Sequence, residues 1–442
     1  MGKSAFTSSQ PIVQPTFRLE QQMRKQKLLL LFIWVVTQLT ACASPNSATT
    51  PAQASTMTSP TTIQKGITPT TPLTTIPPTT AQDSACWKMS SHPFPEITLP
   101  EKLVIYSYDT GLSVLDFKQH ARREISNQDG SISYATTSPN GEWLSYTYFP
   151  PEGQKLIIET ADGVVEAQTS VKPSWLMYSG VPWLDNQRLW FPDLGTEQRI
   201  PPTVIINPFT GQQQELLSDY PGLKRSMVGS IYTPGFHFVY TSVIYHPSLQ
   251  LVIYPETATE QRNITLWNRQ TQKILAKIPI TTLYGNPPPM WMPDEKSFLV
   301  FAESNAGEPK EWHMVSQDGT VRQLTHLHDL YHNLEIGFDA SISPDGKYLA
   351  FELSQGESSS NEAKQLMILN LKTLEVINPC ISVFFGVSAA VPRPFWSPDS
   401  QYVAVLDSMN KATPITILSI EDKWAVNLAE GPMAWPVGWL KP

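Results

Sequence analysis

The stretch Ser343-Pro-Asp-Gly-Lys-Tyr-Leu-Ala-Phe351 decides the fold of this chain. Its Asp345-Gly346 dipeptide is typical of a tight hairpin turn, and the apolar residues that follow predict a short β-strand. Segments similar to 347–351 return roughly every 40 to 60 residues, which indicates a repeat architecture. These segments are 102–106, 142–146, 187–191, 237–240, 297–301 and 401–405.

Each of these strands is followed by a third and a fourth short strand, with polar turns such as Asp162-Gly163 and Asp318-Gly319 between them. Together with a strand before the first turn, each unit has four strands. Leu349 and Phe351 point to one face of their strand and Ala350 to the other, so both faces are apolar. Radial stacking gives such a sheet a neighbour on each side. The pattern therefore predicts an all-β, seven-bladed β-propeller over residues 84–442.

The two ends of the repeat region predict how the ring closes. The first strand of each unit is expected to precede a turn at Ser138-Pro139, Val181-Pro182, Thr233-Pro234, Met292-Pro293, Ser343-Pro344, Ser397-Pro398 or Met433-Ala-Trp-Pro436. The last of these has no partner strand after it, and strand 102–106 has none before it. We therefore expect the C-terminal strand to complete the N-terminal blade. Six blades with two exposed edge strands is the alternative.

Two elements resemble a known family of propellers. Trp396-Ser-Pro-Asp-Ser-Gln-Tyr-Val-Ala404 and residues 341–351 resemble the TolB-like, WD-repeat-like repeat, and Val321-Arg-Gln-Leu-Thr325 resembles the end of that family's blades. The resemblance covers about residues 100–440. It implies a domain that binds a protein, a peptide or a small molecule, and it assigns no binding residue.

Residues 1–41 predict an N-terminal extension and an export signal, with the core of the signal at 23–41. A positive patch, Met23-Arg-Lys-Gln-Lys27, precedes the apolar run 28–36, which is far shorter than the ~20 residues that span a bilayer. Leu39-Thr-Ala-Cys42 resembles the lipobox of bacterial lipoproteins. The resemblance implies cleavage before Cys42 and attachment of a lipid such as palmitate to it. The alternative is a short buried helix or strand with a chance cysteine.

Residues 43–82 are rich in Thr and Pro and predict a disordered linker, because such a segment buries too little apolar surface to fold. Lipidation and linker together place the propeller at the cell membrane, on its extracytoplasmic face. The chain carries 31 Lys and Arg against 39 Asp and Glu, a net charge of −8. A nucleic-acid partner is therefore not expected.

The connections between strands predict two different faces of the ring. Turns between first and second strands, and between third and fourth strands, are short. The other connections, expected at 192–202, 218–227, 241–262, 279–288, 302–310, 325–338, 353–363 and 378–393, are long. Binding residues tend to lie on long loops of a rigid scaffold. We expect the ligand on this loop-rich face.

One connection on that face contains possible metal ligands. His326, His328, Asp329 and His332 fall within seven residues, and their side chains are donors that suit Zn²⁺ or Cu²⁺. The alternative is a polar surface loop that hydrogen-bonds to its neighbours. No other cofactor is expected.

A second group combines aromatic and cationic side chains. Tyr220, Lys224 and Arg225 lie in one connection, Tyr331 in another and Arg393 in a third. These residue types suit an acidic or sugar-like ligand, and the alternative is that they are ordinary residues of the rim.

Two cysteines remain once Cys42 is lipidated. Cys86 precedes the first strand, and Cys380 lies in the connection 378–393. The compartment is oxidising, so a disulfide between them is expected to pin the segment before the ring across the loop-rich face. The alternative is two buried free thiols.

The chain carries no clear catalytic motif. The nearest approach to a nucleophile elbow is Gly386-Val-Ser-Ala-Ala390. The expected innermost strands carry almost no carboxylate that could act as an acid or base, and Asp339 is the exception. We therefore expect a non-catalytic, lipid-anchored binding module for a protein, peptide or glycan. A structural scaffold of an envelope complex and a hydrolase with an unrecognised site are the alternatives.

Overall fold

The fold is that of a computed structural model, which describes residues 86–92, 96–107, 110–125, 131–172, 183–193, 202–216, 220–221, 243–257, 262–279, 287–303, 308–331, 334–355, 364–383, 394–406, 415–428 and 434–442. Residues 1–85, which include Cys42 and the predicted linker, lie outside this description.

The described residues form twenty-nine strands and one short helix. The first strands are β1 (Lys88–His92), β2 (Lys102–Ser107), β3 (Gly111–Asp116), β4 (Ala121–Ile125), β5 (Ser131–Thr137), β6 (Leu144–Phe149), β7 (Lys155–Glu159), β8 (Val165–Ser170), β9 (Leu189–Pro192), β10 (Thr203–Asn207) and β11 (Gln212–Leu216). The central strands are β12 (Ile244–Tyr245), β13 (Leu251–Thr257), β14 (Arg262–Asn268), β15 (Lys273–Pro279), β16 (Met290–Trp291), β17 (Ser297–Glu303), β18 (Lys310–Ser316) and β19 (Val321–Gln323). The helix α1 (Leu327–Leu330) precedes the last strands, β20 (Leu334–Ile342), β21 (Tyr348–Gln355), β22 (Lys364–Asn370), β23 (Val376–Ile377), β24 (Ser382–Val383), β25 (Phe395–Trp396), β26 (Tyr402–Leu406), β27 (Ile415–Ser419), β28 (Trp424–Leu428) and β29 (Ala434–Leu440).

These strands form seven sheets, and the prediction of a seven-bladed β-propeller is confirmed. Blade 1 has the order β29-β2-β3-β4, and blades 2, 4 and 5 consist of β5–β8, β12–β15 and β16–β19. Blade 3 has β9–β11 among the described residues, with Trp183 bridged to Leu189 on the inner side of β9. Blade 6 has β20–β23 with β24 added, and blade 7 has β25–β28 with β1 added.

The two ends of the chain close the ring as predicted. The C-terminal strand β29 pairs antiparallel with β2, so that Lys102 lies opposite Leu440 and Ser107 opposite Ala434. The alternative of six blades with two exposed edges is therefore wrong. Closure removes both hydrophobic edges at once.

The core consists of seven apolar clusters, one at each junction between neighbouring blades. On β21, Leu349 and Phe351 pack towards blade 5, whereas Ala350 packs towards blade 7. The predicted two-faced strand pattern is thus the reason why each sheet has two neighbours.

The Ser-Pro-Asp turn is held by its own side chains. The Ser343 hydroxyl donates to Asp345 Oδ1 at 2.8 Å and accepts from the backbone N–H of Tyr348 at 2.9 Å. Gly346 takes a φ of +71°, which glycine adopts without strain. Ser397 and Asp399 repeat this arrangement in blade 7, at 2.6 Å.

The predicted position of blade 4 is wrong. Its second strand is β13, and the turn before it begins at His246-Pro247, whereas the predicted strand 237–240 and the turn Thr233-Pro234 lie outside the described residues. The predicted connection 241–262 therefore contains two strands. His246 Nδ1 lies 2.7 Å from Ser248 Oγ, which corresponds to the contact between Ser343 Oγ and Asp345 in blade 6, and Leu249 adopts the left-handed φ of +61°.

Two further turn predictions differ from the structure. In blade 3 the turn follows Trp183 and is closed by Leu184 N donating to Arg188 O at 2.7 Å, so it does not lie at Val181-Pro182. Pro436 lies inside β29 rather than in a turn, because the ladder with β2 shifts register between Val104 and Ile105. A proline is tolerated at such an irregularity.

Candidate functional site

The two faces of the ring differ in how their connections are built. On the face formed by the turns between first and second strands, neighbouring blades are tied by hydrogen bonds. These are Asn140 N to Asn186 Oδ1 (2.9 Å), Arg188 Nη2 to Pro247 O, His246 Nε2 with Glu295 O (3.0 Å), Asp345 N to Ser400 Oγ (3.0 Å), Asp399 N to Glu101 Oε1 (3.2 Å) and Lys441 N to Gly141 O (2.8 Å).

Among the residues that the structure describes, hydrogen bonds on this turn face therefore link six of the seven junctions. At the remaining junction, between blades 5 and 6, Gly346 packs on Met292 and Pro293. The opposite face, formed by the connections between second and third strands and between blades, carries the long predicted loops. We call it the loop-rich face. Of those predicted loops, 325–338 contains α1 and the start of β20, and 378–393 contains β24.

The histidine segment forms α1 on the loop-rich face, and a buried glutamate holds it. Glu311 is 4% exposed. Its Oε2 accepts from the Thr325 hydroxyl at 2.6 Å and from Leu327 N at 2.8 Å, and its Oε1 accepts from His328 N at 3.0 Å. His328 Nδ1 lies 3.4 Å from the same Oε1. Glu311 thus satisfies the free N–H groups at the start of the helix.

The two described histidines of this segment, His326 and His328, have different partners. His326 Nδ1 lies 3.2 Å from Gln323 Nε2, whereas His328 faces Glu311. His332 lies outside the described residues. Within the described part of the chain, no group of three histidine, cysteine, aspartate or glutamate side chains is placed to hold a metal ion. The metal prediction for the three residues together stays a prediction.

A further histidine, outside the predicted group, lies on the strand next to this segment. His313, on β18, is 2% exposed, and its Nδ1 donates to Glu311 O at 2.9 Å. Burial lowers the pKa of His313, because a charged imidazole is poorly solvated there. His313 is therefore a neutral core residue at neutral pH. Its place in β18, where three successive residues are buried because the strand has a neighbouring blade on each side, is the signal by which its burial could have been inferred.

A second buried carboxylate lies near the loop-rich end of blade 6. Glu352 is 1% exposed and its Oε1 pairs with Lys364 Nζ at 3.0 Å. It faces an irregularity in β20 between Ile336 and Ala340, where Gly337 leaves room for the carboxylate. Bulges of this kind often lie next to functional sites. Asp339 falls in the same irregularity, and its side chain lies outside the description.

The predicted aromatic and cationic group is only partly described. Lys224, Arg225 and Arg393 lie outside the described residues. Tyr220 is 4% exposed, stacks on Tyr254 at 5.2 Å and shares a hydrogen bond of 2.9 Å with the Tyr245 hydroxyl. Burial, followed by the influence of Tyr245, raises the pKa of Tyr220. Tyr220 thus packs in the core between blades 3 and 4 rather than on the rim.

Tyr331 follows α1 and is half-buried against the cluster between blades 5 and 6. Burial raises the pKa of its hydroxyl. Half-buried aromatic side chains also lie at the loop-rich ends of blades 1 and 2, where the ring centroids of Tyr106 and Trp435 are 4.8 Å apart. Neither residue is among the predicted site residues. The sequence did contain a signal for the pair. The closure prediction pairs β2 with β29, and each of these strands has an aromatic residue near its loop-rich end.

Cys86 and Cys380 form a disulfide, with their Cα atoms 5.1 Å apart. Both residues are exposed, so they are not two buried thiols. The bond ties the start of β1, on the outside of blade 7, to the connection that follows β23 of blade 6. The near-miss motif 386–390 lies outside the described residues.

The fold and its two faces define the class of this protein: a seven-bladed β-propeller with one turn face and one loop-rich face. Among solved structures, the chain is similar to TolB from Acinetobacter baumannii, with 16% identity over 77% of this chain and 83% of that one, at a TM-score of 0.37.

Two further solved structures are similar. Oligogalacturonate lyase from Vibrio parahaemolyticus shares 12% identity over 75% of this chain and 85% of its own, at a TM-score of 0.46. An uncharacterized protein from Listeria monocytogenes shares 10% identity over 79% and 99%, at a TM-score of 0.47. These likenesses carry no inference about activity.

A scan against protein-family models matches none, and a search of curated proteins finds no match. Among the described residues, no helix is both long and apolar enough to cross a bilayer.

Proposed function

We propose that this chain is a non-catalytic binding module that holds a protein, peptide or glycan ligand on its loop-rich face. The observation that supports the proposal is the difference between the two faces. The turn face is occupied by interblade hydrogen bonds, whereas the loop-rich face carries the long connections that leave the ends of rigid strands.

The acidic side chains described at the loop-rich end have structural contacts and are not arranged as a reaction centre. Glu311 uses both carboxylate oxygens to hold α1, and Glu352 is paired with Lys364. A catalytic carboxylate must instead reach a substrate proton. The contacts of these two acids therefore favour binding over hydrolysis.

The proposal includes a membrane tether. Cleavage before Cys42 and lipidation of its side chain would hold the ring at the extracytoplasmic face of the membrane, with residues 43–82 as the linker. Two or three acyl chains give stable anchoring, since each buried CH₂ contributes about 0.8 kcal/mol. Replacing Cys42 with Ser should move the protein from the membrane fraction to the soluble fraction and abolish labelling by radioactive palmitate.

The binding proposal is tested by comparing the two faces. The full chain is screened by thermal shift against peptides and glycans and used to capture envelope proteins. Replacing residues 356–363 or 384–393 with Gly-Ser segments of equal length should abolish the interaction found. Lys347→Ala, an exposed turn-face variant, should retain it. Loss in the turn-face variant alone would contradict the proposal, and a partner that binds the turn face would favour an envelope scaffold.

A further inference from the structure

The segment before the ring is attached to the outside of blades 6 and 7. We call residues 86–92 the arm. Its first residue is bonded to Cys380, and its second, Trp87, is 7% exposed and packs in the cluster between blades 6 and 7. The backbone N–H of Trp87 donates to Pro379 O at 3.3 Å. The arm is therefore fixed mainly at its beginning.

The rest of the arm has little to hold it. Strand β1 adds to the outer edge of β28 in parallel, with Lys88 opposite Trp424 and His92 opposite Leu428. All five of its side chains are exposed, so pairing buries almost no apolar surface. Among the described residues, one side-chain hydrogen bond ties it to the blade, from Asn427 Nδ2 to Met89 Sδ at 3.7 Å. A short polar edge strand of this kind is marginal by itself.

Ring closure does not use the arm. Closure is made by β29 and β2 within blade 1, whereas β1 is a fifth strand on the outside of blade 7. Ile97 and Leu99, which follow the arm, are buried between blades 7 and 1 and mark the point where the ring begins. The arm can therefore leave without opening a blade.

The bond that fixes the arm is open to chemical attack. Cys86 and Cys380 are both exposed. Cys380 also has a φ of +61°, a left-handed conformation that costs a non-glycine residue conformational energy. Exposed disulfides are the ones that thiols reduce readily, whereas structural disulfides are usually shielded.

We propose that the Cys86–Cys380 disulfide is a redox-operated clamp on the arm. A thiolate of a dithiol reductant attacks one sulfur and forms a mixed disulfide, and the second thiol of the reductant displaces the cysteine. Two electrons and two protons pass to the protein, which gains two thiols, while the reductant becomes a disulfide. Reduction then releases β1 from β28 and leaves the seven blades closed.

Release has a consequence for the tether, and this clause rests on the membrane attachment proposed above. Release that also draws Trp87 out of the cluster between blades 6 and 7 would add residues 86–92 to the preceding linker and lengthen it by up to about 25 Å, at about 3.3–3.6 Å per residue. The ring could then reach further from its attachment point. The clamp itself does not require lipidation.

The clamp is tested by hydrogen–deuterium exchange of the full chain carrying Cys42→Ser, which removes the third cysteine and the proposed lipid. Dithiothreitol should accelerate exchange in residues 88–92 at least about tenfold. Residues 402–406, 415–419 and 434–440 should not change. Adding Cys380→Ser should reproduce the fast exchange without reductant and remove the response to it.

Alkylation and mass analysis report whether the bond is reduced. Three results would overturn the proposal: a bond that dithiothreitol does not reduce in the folded chain, a reduced protein in which 88–92 stays protected, and loss of protection at 434–440 together with the arm. Because none of these readouts depends on a membrane or a ligand, failure of the clamp is distinguishable from failure of the binding proposal.

Discussion

At the residue scale, Glu101 and Asp399 bring two carboxyl groups together where blade 7 meets blade 1. Glu101 is 4% exposed, and its Oε1 accepts from Asp399 N at 3.2 Å. Its Oε2 is buried with no hydrogen-bond partner among the described residues. Burial, followed by the charge of Asp399, raises the pKa of Glu101 from 4.5 to about 7.

This pair predicts that stability falls as pH rises. Because the folded pKa is raised, the stabilising proton is fully present below pH 4.5 and is lost as pH passes through about 7. Glu101→Gln should flatten the dependence of the free energy of unfolding on pH between 5 and 8. At pH 8 the free energy of unfolding of the variant should exceed that of the original chain by up to about 3 kcal/mol, since a shift of one pKa unit corresponds to about 1.4 kcal/mol.

Urea unfolding at several pH values measures this difference. Glu142→Gln, which changes a half-exposed carboxylate on the same face, is the matched control and should leave the slope unchanged. A Glu101→Gln variant with the original pH dependence would show that this carboxyl is ionised in the folded protein.

Gly337 is required by its contact with Glu352. A Cβ at this position would lie 1.1 Å from Glu352 Oε1. Gly337→Ala should therefore cost about 1–3 kcal/mol of stability by overpacking. In a Glu352→Ala background the same change should cost much less, because the clash is removed. Thermal unfolding of the four proteins measures the coupling, and strictly additive effects would contradict the close approach.

The roles of single acids were beyond sequence reasoning. Glu352 follows Phe351 in an apolar strand. A charged residue at such a position indicates either a buried ion-pair partner or a wrong prediction of which strand face is buried. Its partner Lys364 follows the connection 356–363, so periodicity gives no way to pair them. Glu311 is similar, since it bonds to backbone groups of 327–328, and no residue pattern records such a contact.

At the element scale, α1 exists because Glu311 completes its first turn. A four-residue helix is too short to be stable alone. The carboxylate instead accepts from two backbone N–H groups and from Thr325, and Leu327 is buried between blades 5 and 6. The loop-rich face thus owes part of its shape to a residue of β18.

Glu311→Ala should unfold α1 and cost about 2–4 kcal/mol, because buried donors lose their acceptor. Amide exchange at 327 and 328 should become fast while exchange in β18 stays slow. Asp329→Ala changes an exposed carboxylate of the same helix and should have an effect within about 0.5 kcal/mol. Equal effects of the two substitutions would contradict the role of Glu311.

The strands themselves were largely predictable, and the exceptions have physical reasons. The Ser-Pro-Asp turns at 343 and 397 and the Met-Pro turn at 292 predicted the positions of blades 6, 7 and 5 correctly. In blade 4, Ser248 and Leu249 occupy the turn positions that Asp345 and Gly346 occupy in blade 6. The turn therefore carries no Asp-Gly signal, and the pattern favours the apolar segment 237–240 instead. Chemical equivalence of unlike side chains is invisible to pattern matching.

At the scale of the whole molecule, the described residues form a ring in which each blade packs an apolar face on each of its two neighbours. Seven clusters occupy seven junctions, and β29 completes the first blade with the last strand of the chain. Closure could be predicted because the first repeat unit has no first strand before 102–106, whereas the last unit consists of a first strand alone. The ligand could not be predicted, because the repeat determines the scaffold and not the loops.

Both the assignment of two faces and the clamp on the arm depend on this closure, so a cross-link between β2 and β29 is the most direct test. In a Cys42→Ser background, Ser107→Cys with Ala434→Cys places two thiols at directly opposed positions. We expect mild oxidation to join 107 and 434 without loss of thermal stability.

Lys102→Cys with Ala434→Cys is the control, because residues 102 and 434 lie at opposite ends of the same strand pair. Mass spectrometry of the digested protein should find the 107–434 cross-link and no 102–434 cross-link. A folded protein without the 107–434 cross-link, or with both cross-links in similar yield, would contradict the seven-bladed ring closed by β29.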